Sequence, residues 1–146
     1  MRKLLKKFVT GFVCLFLLST TVFAAEEILP VSSSFIYGIF SDIIAESDGQ
    51  LLITFHLNSP APMTELGASS IEIYENNGRT TKLVDTIYAT DRGYEHMLGS
   101  GTYHASNITY DGTIGYQYYV KVHFTASNSN GGDTATSTSR AVTAIK

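Results

Sequence analysis

The sequence predicts an all-β protein, built as a single antiparallel β-sandwich of about seven strands. Apolar and polar residues alternate over residues 51–57 and, most regularly, over residues 116–126. This pattern is typical of strands with one buried and one hydrated face. Turn-forming residues separate such segments at intervals of about 8–12 residues, as in antiparallel sandwiches. No segment shows a comparable helical period, apart from a weak one over residues 42–46.

The turns set the order of the strands. Asp48-Gly49 separates the first two, and Asn76-Asn77-Gly78 is a turn of the kind that closes a hairpin. Residues 127–139 are rich in Ser, Thr, Asn and Gly, and we expect a loop and an edge strand there rather than a disordered stalk. The predicted strands cover about residues 34–46, 50–58, 69–77, 80–90, 102–109, 114–127 and 135–145. The sandwich domain is thus residues 34–146, preceded by a lead-in over residues 25–33.

Residues 1–24 have the three parts of a secretory signal peptide, and we expect them to form its helix. A basic start is followed by an apolar run over residues 8–18 and by small residues that end at Ala24. Cleavage is expected after Ala24, with Ala25 as the near alternative. An uncleaved membrane anchor is the other interpretation, but the apolar run is much shorter than the roughly 20 residues of a spanning helix. We therefore predict a secreted protein, extracellular or associated with the cell envelope.

Removing this leader changes the composition of the protein. It contains the only cysteine, Cys14, so the remaining chain has no disulfide, and Cys14 is placed too far from the cleavage point for lipidation. It also holds four of the ten basic residues and none of the thirteen acidic ones, which leaves a formal charge of −7. Nucleic-acid binding and a polybasic membrane patch are disfavoured because basic residues do not cluster. A small secreted chain without cysteine suggests a bacterial source, and no membrane anchor is expected after cleavage.

Residues 110–122, Tyr-Asp-Gly-Thr-Ile-Gly-Tyr-Gln-Tyr-Tyr-Val-Lys-Val, resemble the approach to the sixth strand of fibronectin type III and immunoglobulin-like domains. The resemblance implies a tyrosine corner, in which a hydroxyl bonds back to the main chain. Tyr116 is the candidate tyrosine, Tyr110 its apolar partner, and Gly112 lies in the turn. The chain departs from the pattern because it has no Trp and its sixth strand is about two residues longer than usual. The likeness covers about residues 51–145 and concerns architecture rather than activity. It is to such domains as they occur in small secreted bacterial proteins.

Histidines are the first candidates for chemistry. His56 and His123 are expected on the outward faces of strands and would meet if those strands were neighbours, but no third metal ligand stands at a recognisable spacing. His96 and His104 flank a short loop near Asp91 and Glu95, without a serine elbow or a metal motif. We therefore predict no catalytic residue, no metal site and no cofactor. Solvated surface histidines are the favoured explanation of the pattern.

Tyrosines are the more informative candidates. The chain beyond the leader has nine Tyr, four Phe and no Trp. Tyr119 is expected to point outward beside His123, while Tyr103 and Tyr110 lie in or near the stretch that joins the fourth and sixth strands. Exposed tyrosines stack on sugars or anchor protein interfaces, although strands also contain many half-buried tyrosines for structural reasons. These four residues are the predicted binding residues.

Together these observations predict a binding or interaction module whose partner is a surface protein or a polysaccharide. A carbohydrate-binding module is the alternative, and it requires two or three coplanar exposed aromatic rings. A small secreted hydrolase is the least favoured interpretation, because no motif or convergent set of titratable groups stands out.

The expected signal peptide leads to a prediction about the mass of the secreted protein. The protein recovered outside the producing cell should lack residues 1–24, because a signal peptidase cuts after Ala24. Intact-mass spectrometry of that protein measures this directly. A mass that includes residues 1–24 would contradict the prediction.

Overall fold

The computed structural model describes Leu29–Pro30 and residues 33–146. This part of the chain is all-β and antiparallel, which confirms the predicted class at that level. Neither of its two short 3-10 helices, Ser47–Gly49 and Glu95–Met97, is long and apolar enough to cross a membrane. The predicted signal peptide and most of the predicted lead-in lie outside the described residues. The strands are β1 (Leu29–Pro30), β2 (Gly38–Ala45), β3 (Gln50–Asn76), β4 (Thr81–Tyr88), β5 (Leu98–Asp111), β6 (Gln117–Asn128), β7 (Gly131–Thr138) and β8 (Val142–Thr143).

Strand β3 is 27 residues long and is paired along both of its edges. Its first part, residues 50–58, lies between β2 and β5. Its last part, residues 70–76, lies between β4 and β6. Strands β7 and β8 then pair with β6, and β1 pairs with β2.

The strands predicted over residues 50–58 and 69–77 are therefore two parts of one strand. Proline lies between them, and a proline cannot donate a ladder hydrogen bond. In the structure Pro60 and Pro62 are exposed and lie where the register against β5 shifts, between Asn58 and Met63. Met63 and Leu66 are buried beyond this point. The strand thus passes through an irregular segment without leaving the core.

The sheet curls into a half-barrel around its buried face. Strand β6 buries every second residue from Tyr118 to Ala126, which confirms the alternation predicted there. Inside this curl, Gly112 just after β5 lies close to the beginnings of both β3 and β6. A Cβ atom on Gly112 would lie 2.9 Å from the ring of Tyr118 and 3.0 Å from Cδ1 of Leu51. The largest buried side chains are Tyr118, Phe55, Phe124, Ile36, Ile43, Leu51, Ile53, Leu57, Leu66, Ile71, Ile73 and Met97.

Side chains join β2 to β7 where the curled sheet brings them together. The hydroxyls of Ser41 and Ser137 are 2.9 Å apart. Nearby, the Arg140 guanidinium binds Asp42 through two nitrogens, at 3.0 and 3.1 Å from the carboxylate oxygens. This seam therefore depends on side-chain polar contacts, whereas the rest of the sheet is joined by main-chain ladders.

The predicted last strand, residues 135–145, consists of two shorter strands. Strand β7 pairs with the far part of β6, and after an interruption at residues 139–141 the chain continues in the same direction, so that β8 pairs with the beginning of β6. The N–H of Ala144 donates to the carbonyl of Tyr116 at 2.9 Å, and the N–H of Gly49 donates to the carbonyl of Ile145 at 2.8 Å. The tail thereby closes one end of the half-barrel.

Both predicted turns are present. The loop between β3 and β4 is held by Asn77, whose Oδ1 accepts hydrogen bonds from the N–H groups of Arg79 and Thr80. Asp48 and Gly49 adopt the left-handed conformation, with φ of 60° and 81°. Aspartate tolerates that region and glycine adopts it without strain, so the residues that predicted the turn are also the ones that it needs.

A buried tyrosine hydroxyl anchors the closed end. Tyr118 accepts a hydrogen bond from the N–H of Thr113 at 2.8 Å and donates one to Oε2 of Glu75 at 2.5 Å. Burial, followed by the bond to Glu75, raises the pKa of Tyr118. The sequence suggested this main-chain contact for Tyr116, two residues earlier. The ring of Tyr116 instead lies half-buried against the core.

Replacing Tyr118 by Phe should destabilise the fold by about 1–3 kcal/mol, because the buried Glu75 carboxylate and the Thr113 N–H each lose a partner. Urea denaturation gives the free energy of unfolding. The matched control is Tyr116→Phe, for which we expect a change within about 0.5 kcal/mol. Equal losses in the two variants would mean that the Tyr118 hydroxyl has no special role.

Candidate functional site

The outward surface around the last part of β3 carries a group of aromatic and charged side chains. Glu72 and Tyr74 point outward from β3 and stand opposite Lys121 and Tyr119 of β6. His123 follows two positions after Lys121 on the same face of β6. We call these five residues, Glu72, Tyr74, Tyr119, Lys121 and His123, the tyrosine face.

The two tyrosine rings of this face stack on each other. Their centroids are 4.8 Å apart and their planes differ by 1°. The Lys121 Nζ lies 5.4 Å from the centroid of the Tyr74 ring, within the range of a cation–π contact. Because the two rings lie face to face, they do not form the coplanar platform that is expected of a carbohydrate-binding module.

Glu72 is the centre of the polar contacts on this face. The Tyr74 hydroxyl donates to its Oε2 at 2.7 Å, the His123 Nε2 lies 3.3 Å from its Oε1, and Lys121 Nζ lies 3.9 Å from its Oε2. The Tyr74 hydrogen bond is the main reason that the pKa of Glu72 lies below its usual value, and burial opposes this effect. The same bond raises the pKa of Tyr74. The polar groups are therefore bound to one another in fixed positions.

Two exposed apolar side chains from β4 extend the tyrosine face. Leu83 stands opposite Tyr74 and is 49% exposed, and Tyr88 stands opposite Ser70 and is 52% exposed. On the other side, the Thr136 hydroxyl lies 3.2 Å from Nδ1 of His123. The surface thus combines exposed apolar and aromatic area with a central group of mutually paired polar side chains, and aromatic residues are enriched at protein interfaces.

The structure brings together only two of the four predicted binding residues, Tyr119 and His123. Tyr103 lies on the outward surface around the first part of β3, where it is 56% exposed. There it neighbours His56, with ring centroids 5.8 Å apart, and His56 stacks on Phe40 at 4.9 Å. We call Phe40, His56 and Tyr103 the aromatic ridge. Tyr110 is half-buried against Tyr118, and burial raises its pKa.

Each of the four histidines contacts neighbouring protein groups. His56 and His123 belong to the surfaces around opposite ends of β3. The Nε2 of His96 is 3.1 Å from the carbonyl oxygen of Asn107, and the Nε2 of His104 is 3.0 Å from that of His96. Among residues 33–146, no three His, Cys, Asp or Glu side chains are grouped so that they could hold a metal ion.

The two acidic residues near His96 also serve the main chain. A carboxylate oxygen of Asp91 accepts from the N–H of Tyr88, and one of Glu95 accepts from the N–H of Gly93. These contacts shape the loop between β4 and β5.

Glu72 and Tyr74 were not among the predicted binding residues. The alternation over residues 71–75 was visible in the sequence and placed both on one face of a strand. What the sequence lacked was the pairing partner, because β3 could have met any of several strands. The register that sets Tyr74 opposite Tyr119 appears only in the folded sheet.

No protein-family model matches this chain, and no curated protein matches it either.

Replacing Tyr74 by Phe should raise the pKa of Glu72 toward its ordinary value of 4.5, because the largest cause of the shift is removed. The wild-type contacts of Glu72 should weaken as the pH falls through its lowered pKa, since a protonated carboxyl no longer attracts Lys121 and His123. Side-chain carboxyl NMR measures both effects. Tyr119→Phe is the control and should leave the Glu72 titration unchanged; an equal shift in both variants would contradict the assignment of the effect to the Tyr74 hydrogen bond.

Proposed function

We propose that this protein is a secreted binding module that uses the tyrosine face to hold a protein partner at the cell surface or outside the cell. The observation that carries the proposal is the pairing of Tyr74 with Tyr119 beside exposed Leu83 and Tyr88. Tyrosine is enriched at protein interfaces because it buries a large ring and leaves a polar tip for hydrogen bonding.

The internal contacts of the face support binding rather than catalysis. A catalytic acid or base must reach a substrate, and a nucleophile needs an adjacent base. Here the carboxylate of Glu72 is bound by Tyr74, His123 and Lys121. Such mutual contacts hold the side chains in place before a partner arrives, which lowers the entropy lost on binding.

The export signal and the formal charge of −7 after its removal support a role outside the cytoplasm. The likeness to fibronectin type III and immunoglobulin-like sandwiches is part of the same proposal, because small domains of that kind often present one face of a sheet to a partner. A hydrolase is the least favoured alternative.

A polysaccharide is the second candidate partner, and the aromatic ridge is the observation that favours it. A shallow depression next to His56 is lined by Thr54, Ala105 and Asn107, among other residues. Rings beside hydroxyl and amide groups suit a sugar, which offers both C–H surfaces and hydroxyls. The stacking of Phe40 on His56 at 18° leaves Tyr103 as the most exposed ring of this surface.

Substituting Tyr119 by Ala should weaken capture of a protein partner at least tenfold, whereas Tyr103→Ala should leave it unchanged. Surface material of the source cell, treated separately with protease and with glycosidases, is passed over the immobilised protein, and the retained species is then titrated. Loss of capture after protease treatment, together with sensitivity to Tyr119→Ala, supports the proposal. Loss after glycosidase treatment, together with sensitivity to Tyr103→Ala, would replace it with the polysaccharide alternative. No retention at all would contradict both.

A further inference from the structure

Strand β4 forms an edge of the sheet. Its eight residues, Thr81–Tyr88, pair with β3, and among the described residues no other strand pairs with them. Thr81, Lys82, Leu83 and Asp85 are all exposed. Proteins commonly protect such an edge with a charged residue or a bulge, because its main-chain groups are free to pair with another strand.

A bulge is present in β4, and it changes which side chains share a face. Ile73 stands opposite Asp85 while Tyr74 stands opposite Leu83, so Val84 is an extra residue on β4. Lys82, opposite Glu75, and Asp85, opposite Ile73, consequently lie on the same side of the sheet. Without the bulge, residues three positions apart would point to opposite sides.

This arrangement makes the edge complementary to itself. When two copies of β4 run antiparallel with Leu83 on the two-fold axis, and Val84 of each copy stays outside the pairing as it does against β3, Lys82 of each copy stands opposite Asp85 of the other. Thr81 stands opposite Thr86 in the same register. Opposite residues then share a face throughout, since Leu83, Thr81 and Thr86 all lie on the outward side. The register therefore creates two ion pairs and buries Leu83 against its own copy.

We propose that two copies of this chain associate through their β4 edges in this register. Symmetric dimers use the same patch on both subunits, and a strand edge satisfies its free main-chain groups by such pairing. A single lysine on an edge normally opposes strand addition. Here Lys82 is matched by Asp85, so the edge accepts a second copy of itself and repels a strand that carries a cation at the same position.

The dimer would enlarge the surface described above. A two-fold axis perpendicular to the sheet leaves the outward faces of both copies on the same side. Leu83 and Tyr88, on β4 itself, border the tyrosine face, so the two tyrosine faces lie on either side of the joined β4 strands. A partner with repeated binding sites could then contact both at once, which raises its apparent affinity without any new contact.

The charge pairs allow a test with an internal control. Asp85→Lys and Lys82→Asp each place like charges opposite one another, and each should raise the dissociation constant of the homodimer at least tenfold. An equimolar mixture of the two variants should dimerise again, because every opposite pair in the mixed dimer joins a lysine to an aspartate. Glu65→Lys, on β3 opposite Ser127, is the charge-matched control and should behave as the wild type does. Analytical ultracentrifugation at about 0.15 M ionic strength measures all four samples.

Lys82 also lies 3.4 Å from Glu75, so Lys82→Asp could impair folding. A second measurement avoids that substitution. In a Cys14→Ser background, Leu83→Cys should form a disulfide-linked dimer under mild oxidation, because opposite Cα atoms in an antiparallel pair are about 4.5–5.5 Å apart, within disulfide range. Tyr88→Cys, on the same face of the same strand, is not opposite itself and should remain unlinked.

The proposal is overturned if the wild type stays monomeric at every concentration up to several hundred micromolar. It is also overturned if Asp85→Lys behaves as Glu65→Lys does, or if Leu83→Cys and Tyr88→Cys link equally. None of these results depends on the unidentified partner, so failure of the dimer leaves the proposed binding function to be tested on its own.

Discussion

The pairing of β3 along both edges is the constraint on which the rest of the structure depends. Four strands form ladders with it, and β7 and β8 join the sheet only through β6. Because one strand serves both ends of the sheet, the curl of β3 also sets where each outward surface lies. The aromatic ridge and the tyrosine face are separate surfaces because they flank different parts of the same strand.

Close packing explains the position of His104, one of the histidines that first suggested chemistry. A Cβ atom on Gly99 would lie 2.4 Å from Nδ1 of His104, and one on Gly67 would lie 2.9 Å from Cδ2 of the same ring. His104 therefore lies over two glycines, and its Nε2 lies within hydrogen-bonding distance of the His96 carbonyl. Its surroundings are those of a structural histidine, since the nearby main chain can approach only where glycine leaves space.

Local patterns predicted the individual strands better than their connections. The alternation of β6 and the Asn77-Gly78 turn depend on neighbouring residues, so they could be predicted from sequence. The continuity of β3 could not, because Pro60 and Pro62 look the same whether they end a strand or occupy an irregular segment within it. The tyrosine hydroxyl that meets the main chain was assigned two residues too early for a related reason. Alternation places Tyr116 and Tyr118 on one face, and only the position of Glu75 distinguishes them.

For the candidate surface, the sequence predicted which side chains point outward but not which of them lie together. Outward positions such as Tyr119 and His123 follow from period-two alternation within one strand. Their grouping with Glu72 and Tyr74 depends on a register between strands some 50 residues apart along the sequence, which no local pattern encodes.

The closing contacts of the tail also affect when this chain can fold. Gly49 bonds to the carbonyl of Ile145, and residues near the start of β3 pair with β5, about 60 positions later. Chains emerge from the ribosome at about 5–20 residues per second, so the start of β3 can pair early with β2 but meets β5 and the tail only several seconds later. Long-range pairings of this kind are also slow to form. The complete sheet consequently forms late in synthesis, because the end of the half-barrel cannot close before the last residues of the chain have been made.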